Sequence, residues 1–180
     1  MKREVRKNTA MSRDDLFISI DEDKWSEEYF DVWPHQVFQT TISFIRQHEL
    51  YGKVGSGKTV FVNLSLSNDE EVHHLNKQFR GIDKPTNVLS FANVDDVDFV
   101  NEIADCEQIE LGDIVIALET LQREAEQKNI LLRDHFAHLL IHGLLHLFGY
   151  DHQTDDEADV MEGIEIQVLQ ELKISNPYEE

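Results

Sequence analysis

The chain has 180 residues and a formal net charge of −20, from 36 acidic and 16 basic residues. Its length predicts one domain with a sizeable core, and a hydrophobic content of 41% argues against intrinsic disorder. The single cysteine, Cys106, excludes an internal disulfide and favours a reducing, cytoplasmic compartment. No apolar run is long enough for a membrane span, and no apolar segment follows the basic N-terminal residues, so a secretory signal is not predicted either.

Strands and helices are predicted in an interspersed order, which is typical of a single α+β domain with a small mixed sheet of about four strands. Residues 1–13 form a basic arm that we expect to be flexible, unless translation starts at Met11, and residues 14–180 form the domain. Residues 92–110 read as an acidic loop. Hydrophobic periodicity predicts strands at Leu16–Ile20, Val60–Leu66, Asn87–Phe91 and Asp113–Leu118, and helices at Gln36–Gln47, Glu119–Lys128 and Leu132–Phe148.

Two capping boxes predict the starts of two further helices. Ser67 with Glu70 opens a helix that continues to Phe79, and Thr154 with Glu157 opens the last helix. The apolar stripe of that last helix consists of Ala158, Met161, Ile164, Val168 and Leu172.

The segment Gly52–Thr59 satisfies the P-loop pattern G-x-x-x-x-G-K-[ST]. A P-loop follows a strand and opens a helix, so that backbone N–H groups face the phosphates. Here a predicted helix precedes the segment and a predicted strand follows it. We therefore interpret Gly52–Thr59 as a flexible connection into the strand and do not expect nucleotide binding there.

Residues 142–152 contain three histidines at the spacing of metal ligands, in the sequence H-G-L-L-H-L-F-G-Y-D-H. His142 and His146 are four residues apart, so on a helix they share one face, about 6 Å apart along the axis. Gly149 permits the left-handed turn that ends a helix and lets the chain offer His152 as a third ligand. Three neutral imidazoles with an open fourth position are typical of catalytic zinc, so we predict one Zn²⁺ per chain held by these three histidines.

Two upstream histidines leave the choice of ligands open from spacing alone. His135 and His138 share a sector of roughly 80° with His142 and His146, so His138 with His142 is a competing pair. Only the downstream set uses the Gly149 turn, and we prefer it for that reason. His138 is then expected to support a ligand or to line the wall of the cleft.

The histidine spacing equals that of the metzincin proteases, H-E-x-x-H-x-x-G-x-x-H, with one change. Gly143 stands where those proteases have the glutamate that serves as general base. The pattern predicts a zincin-like metal site, on a long helix and the turn after it, without the base that peptide hydrolysis uses.

Three motifs resemble those of the YbeY family of bacterial endoribonucleases and ribosomal-RNA maturation factors. The first is the histidine block at residues 142–152, which resembles the family's zinc-site signature. The second is F-R-G-I-D-K-P-T-N-V-L-S-F at residues 79–91, and the third is L-G-D-I-V-I at residues 111–116. They occur in family order, and the resemblance covers roughly Leu16 to Tyr178.

The resemblance implies a zinc-dependent, single-strand-specific endoribonuclease that acts in 16S rRNA 3′-end maturation and late-stage ribosome quality control. The expected partners are single-stranded RNA and the ribosome or its basic proteins, with neither DNA nor a membrane. A net charge of −20 conflicts with an RNA substrate, but basic residues collect at Lys77, Arg80 and Lys84. An acidic body with one basic patch fits brief contact with RNA or docking on a basic protein.

Two residues are candidates for catalysis. Arg80 matches the arginine of the second motif, where the resemblance implies an active-site role, and a guanidinium suits the charge that develops on a phosphodiester. Its alternative role is a structural salt bridge to Asp83 or Asp113. Asp151 could orient a ligand imidazole or act as a base, and its alternative is hydrogen bonding at the helix end.

Two other functions stay open from the sequence. The first is a metallohydrolase acting on another bond, including a peptidase. Gly143, in place of the glutamate that serves as general base, argues against a peptidase. The second is a non-catalytic ribosome assembly factor with a structural metal. A closed structural site would need a fourth protein ligand, and Cys106 is the only thiol.

Overall fold

The computed structural model describes residues 3–5, 14–20, 25 and 32–179. Its sheet has the strand order β1-β2-β3-β5-β4. The strands are β1 (Arg3–Val5), β2 (Asp15–Ile20), β3 (Thr59–Ser67), β4 (Val88–Ala92) and β5 (Gln108–Ala117). Strands β2, β3 and β5 are parallel, while β1 and β4 run antiparallel at the two edges. The four longer strands form the predicted mixed sheet, so the α+β fold is confirmed. The flexibility of the basic arm, which contains β1, stays a prediction.

Six helices surround this sheet in the described part of the chain. They are α1 (Trp33–Gln47), α2 (Asp69–Leu75), α3 (Val97–Glu102), α4 (Leu118–Lys128), α5 (Leu132–Leu147) and α6 (Asp155–Glu171). A π-helical turn, Asn76–Arg80, continues α2. The region 92–110 was predicted as a loop but contains α3 between two short 3-10 turns, and β5 begins already at Gln108. Within the described residues, no helix is both long and apolar enough to span a membrane.

One of the two predicted capping boxes is wrong. Asn68 caps α2 by accepting a hydrogen bond from the Glu71 backbone N–H, at 2.8 Å. Ser67 is instead the buried last residue of β3. The second box is confirmed, because Thr154 and Glu157 exchange both hydrogen bonds at the start of α6.

Helix α5 is the central helix of the domain and is buried on most of its surface. Phe136, Leu140, Leu144 and Leu147 are fully buried, and α5 packs against α1, α4, α6 and the strands β4 and β5. Gly143 faces the sheet, where a Cβ atom would lie 3.0 Å from Ile114 Cδ1 and 3.1 Å from Ser90 Oγ. The absence of a side chain at this position therefore lets the helix backbone approach β4.

The glycine-rich segment lies between α1 and β3, in the predicted order of helix, connection and strand. It is hydrogen-bonded at both ends. The Lys53 backbone N–H donates to the Phe148 carbonyl at 2.9 Å, and the Lys58 ammonium donates to the carbonyls of Ala104 at 3.2 Å and Cys106 at 3.0 Å. The connection thus contacts both the end of α5 and the turn that precedes β5.

Candidate metal centre

Three histidines converge at the end of α5 and in the turn after it, and we call them the three-histidine cluster (His142, His146 and His152). His142 and His146 lie one helical turn apart, with their Nε2 atoms 3.1 Å from each other. Gly149 has φ +90°, and this left-handed residue turns the chain so that His152 returns to the other two. One ring nitrogen from each histidine lies within 4.8 Å of the others, so the cluster could hold a metal ion.

Hydrogen bonds orient both helical histidines of the cluster. His142 Nδ1 lies 2.8 Å from Glu165 Oε1, and His146 Nδ1 lies 3.0 Å from the Tyr150 carbonyl oxygen. Both partners are acceptors, which implies that each Nδ1 carries the proton and each Nε2 presents a lone pair. Burial, together with the charges of His142 and His152, lowers the pKa of His146 to about 4. The His146 imidazole is therefore uncharged at neutral pH, so its Nε2 lone pair can bind a metal ion.

Glu165 is a functional candidate that was not predicted from the sequence. Its side chain is fully buried, with Oε1 on His142 and Oε2 3.0 Å from His138 Nε2, and it accepts a hydrogen bond from the Tyr178 hydroxyl. Burial alone would raise the pKa of Glu165, but the contacts with His138 and His142 lower it to about 2. A charged residue within the apolar stripe of α6, between Ile164 and Val168, was the sign in the sequence that could have revealed it.

The two upstream histidines do not join the cluster. His138 Nε2 is engaged by Glu165 and, at 3.1 Å, by the Tyr178 hydroxyl, and its ring centroid lies 6.5 Å from that of His142. His135 is buried, with Nε2 2.8 Å from Glu124. The competing pair His138/His142 therefore does not converge on one point. His138 instead contacts the carboxylate that also contacts His142.

A cleft of about 450 Å³ opens over the three-histidine cluster. Arg80 lines this cleft, and its guanidinium donates to the Ser90 carbonyl on β4 at 3.0 Å. Neither predicted salt bridge of Arg80 is present among the described residues. Asp83 pairs with Lys77 at 2.9 Å and contacts His73, while Asp113 accepts a hydrogen bond from an asparagine on β3.

Asp151 also lines the cleft, but it accepts hydrogen bonds from the following turn rather than from an imidazole. Its Oδ1 accepts the His152 backbone N–H at 2.8 Å, and its Oδ2 accepts the Gln153 side-chain amide at 2.7 Å. The backbone hydrogen bond, foremost, lowers the pKa of Asp151, so the carboxylate is ionised. Asp151 thus fixes the turn that carries the third histidine.

Comparison with known proteins places this architecture in a family. The family model described as Endoribonuclease YbeY matches residues 19–173. The chain belongs to the YbeY family. Proteins named Endoribonuclease YbeY from Francisella tularensis subsp. novicida (strain U112) and subsp. tularensis (strain FSC 198) are each 51% identical over 117 residues, which is 65% of this chain and 70% and 68% of theirs. The resemblance seen in the three sequence motifs is therefore confirmed.

A solved structure shares the YbeY fold seen here. The solution structure of TM1509 from Thermotoga maritima matches with a TM-score of 0.52 and 22% identity, over 92% of this chain and 99% of that chain. In the present YbeY member the three motifs meet at one place. Residues 79–91 supply Arg80 and β4, residues 111–116 supply part of β5, and residues 142–152 supply the three-histidine cluster.

Proposed function

We propose that this chain is a zinc-dependent endoribonuclease that cleaves single-stranded RNA. We further propose that it acts in 16S rRNA 3′-end maturation and in late-stage ribosome quality control. One observation carries the proposal: the three-histidine cluster converges in an open cleft that Arg80 also lines. Membership of a family whose relatives are named endoribonucleases supports RNA as the substrate.

The donor set fits one zinc ion per chain. The cluster offers three imidazole nitrogens and no thiolate, and three imidazoles with an open position are typical of catalytic rather than structural zinc. His142, His146 and His152 would hold the ion, and a zinc ion supplies Lewis-acid activation of a water molecule. The cleft above the cluster leaves room for a phosphodiester to reach that position.

The remaining residues of the site have roles that follow from their contacts. Glu165 and the Tyr150 carbonyl hold two imidazoles of the cluster in the orientation that binding needs. Arg80, which lines the cleft and is held by the Ser90 carbonyl, is our candidate for stabilising the charge that develops on the non-bridging oxygens. The ionised Asp151 carboxylate lines the same cleft and could accept a proton.

The charge distribution supports a local RNA contact on an otherwise acidic protein. A net charge of −20 repels polyanions over most of the surface, so affinity for RNA has to come from cations at the cleft. The same acidic surface suits docking on a basic ribosomal protein. We propose RNA rather than DNA as the nucleic-acid partner, and a cytoplasmic location, which the single cysteine favours.

Two observations weigh against the alternative functions. Cys106, the only thiol, does not line the cleft, so a closed structural site lacks its fourth ligand among the described residues. Gly143 supplies no general base at the position where a peptidase carries one, and a side chain there would press against Ile114 and Ser90.

The Arg80 side chain provides the test of the proposal. Arg80→Ala should keep its zinc and its melting temperature while losing about 10²–10³-fold in cleavage rate, the scale of one transition-state donor. Arg80→Lys should recover only part of this loss, because an ammonium cannot form the two-pronged contact. Metal content, melting temperature and cleavage of labelled single-stranded RNA are measured on the same three preparations. Cleavage of a peptide library is measured in parallel.

Equal cleavage by wild type and Arg80→Ala would remove Arg80 from the mechanism. A zinc-loaded wild type that cleaves peptides but not RNA would replace the proposed substrate. A wild type that cleaves neither would favour the assembly factor.

A further inference from the structure

A second cation lies on the wall of the cleft. Lys53, from the glycine-rich connection between α1 and β3, lines the cleft together with Arg80 and the three-histidine cluster. No other lysine or arginine of the described residues belongs to this lining. On a chain with a net charge of −20, these two side chains are the local source of attraction for phosphate groups.

Contacts with the end of α5 position the Lys53 side chain. Its backbone N–H donates to the Phe148 carbonyl at 2.9 Å. Its aliphatic stem crosses Gly149, where a Cβ atom would lie 2.7 Å from both Cγ and Cδ of Lys53. A side chain at residue 149 is therefore disfavoured for two reasons: the backbone is left-handed there, and the Lys53 stem occupies the space that a Cβ atom would need. The turn that presents the third histidine therefore also positions Lys53.

The Lys53 ammonium has a weak anionic partner at the cleft. Its Nζ lies 3.5 Å from Asp95 Oδ1, and the two side chains are 51% and 68% exposed. Exposed pairs of this kind contribute little free energy, so another anion can replace the carboxylate. Asp95 also lines the cleft. Its carboxylate marks a position at which Lys53 can hold a negatively charged oxygen.

We propose that Lys53 binds a backbone phosphate of the RNA strand other than the scissile one, and that this phosphate displaces Asp95. The inference rests on the proposed function, since it takes RNA as the substrate and Arg80 as the group at the reacting phosphodiester. Arg80 belongs to the π-helical turn and is held at β4, whereas Lys53 belongs to the glycine-rich connection and is held at the end of α5. Both line the same cleft, so the two cations can contact different phosphates of one strand beside the cluster. Lys53 acts in binding and positioning, not on the reacting atoms.

Steady-state cleavage of labelled single-stranded RNA at several salt concentrations tests this role in the zinc-loaded, full-length protein. Lys53→Met keeps the aliphatic stem on Gly149 and removes the charge. It should raise KM about threefold to tenfold with a smaller effect on kcat. The dependence of log(kcat/KM) on log salt should become shallower by about one unit. Lys128→Met is the matched control, because it removes the same charge at the exposed end of α4, outside the cleft lining, and it should change neither quantity.

Asp95 provides the complementary variant. Asp95→Asn should lower KM about twofold, because the competing carboxylate loses its charge. In the double variant with Lys53→Met this gain should disappear. An equal gain with and without Lys53 would overturn the displacement of Asp95, and equal effects of Lys53→Met and Lys128→Met would overturn the phosphate contact.

The result for Lys53 can be separated from the result for the proposed function. If the zinc-loaded wild type cleaves no RNA, the proposed function fails, and the intact RNA then serves as a binding probe in fluorescence anisotropy. Weaker, less salt-dependent binding by Lys53→Met but not Lys128→Met would still support the phosphate contact. Equal binding by wild type and Lys53→Met would overturn it.

Discussion

At the scale of single residues, one buried carboxylate organises the metal centre. Glu165 contacts His142 with one oxygen and His138 with the other, and the Tyr178 hydroxyl donates to it as well. A fully buried carboxylate of this kind is tolerated because every oxygen is engaged. Its contact with Nδ1 fixes the tautomer in which Nε2 of His142 faces the rest of the three-histidine cluster.

Replacement of this carboxylate should weaken metal binding. Glu165→Gln loses the charge and one acceptor, so zinc affinity should fall about 10–100-fold, the usual range for outer contacts of a ligand. Competition with a chelator of known affinity measures the change. Tyr178→Phe removes one donor to the same carboxylate without touching a ligand and should change zinc affinity much less. If Glu165→Gln lowers only the melting temperature of the zinc-free protein, its role is structural and not in metal positioning.

The sequence predicted the members of the three-histidine cluster because their convergence depends on local geometry, a helical turn and a glycine. It could not predict Glu165, because this contact crosses from α6 to α5 and no spacing within one segment encodes it. Arg80 was assigned to the site through family resemblance, and its contact with the Ser90 carbonyl could be found only in the structure.

At the scale of elements, the glycine-rich connection shows how a motif depends on its context. The letters match a P-loop, but α1 precedes the segment and β3 follows it. Lys58, the lysine of the pattern, donates to the carbonyls of residues in the turn before β5, including Ala104 and Cys106. Its ammonium is therefore occupied by backbone oxygens.

Lys58→Ala should lower stability without changing the chemistry. Loss of charged hydrogen bonds that are partly exposed should reduce the free energy of unfolding by about 1 kcal/mol. Zinc content and cleavage per folded molecule should stay unchanged, and ATP should not raise the melting temperature of the wild type. Saturating ATP at ~100 times its dissociation constant would add about 2.7 kcal/mol, so a binding site would be readily detected. An ATP-dependent shift that Lys58→Ala abolishes would contradict this assignment.

Element types were predicted well where periodicity was long, and boundaries less well. The N-cap of α2 lies one residue later than predicted, because β3 includes Ser67 and Asn68 therefore caps the helix. The region 92–110 has no clear period, and its short helix α3 buries none of its residues, so no amphipathic pattern could reveal it.

At the scale of the whole molecule, three separated sequence motifs meet, and two of them line the cleft while the third packs beneath it. The antiparallel pairing of β4 with β5 places Ser90 opposite Ile114, and α5 packs closely on both through Gly143. This packing brings the Arg80 contact on β4 beside the three-histidine cluster. Although the surface is mostly acidic, Lys53 and Arg80 supply positive charge to the cleft lining. The order of the motifs could be read from the sequence, but their meeting point depends on sheet topology.

RNA cleavage should depend on a zinc ion that the three-histidine cluster holds. Zinc content and cleavage of labelled single-stranded RNA, measured together on wild type, His152→Ala and His138→Ala, test it most directly. We predict about one zinc per wild-type chain, cleavage that a chelator abolishes and zinc restores, and loss of both zinc and cleavage in His152→Ala alone. Zinc and cleavage retained in His152→Ala but lost in His138→Ala would contradict the claim, as would wild-type cleavage that is indifferent to the chelator.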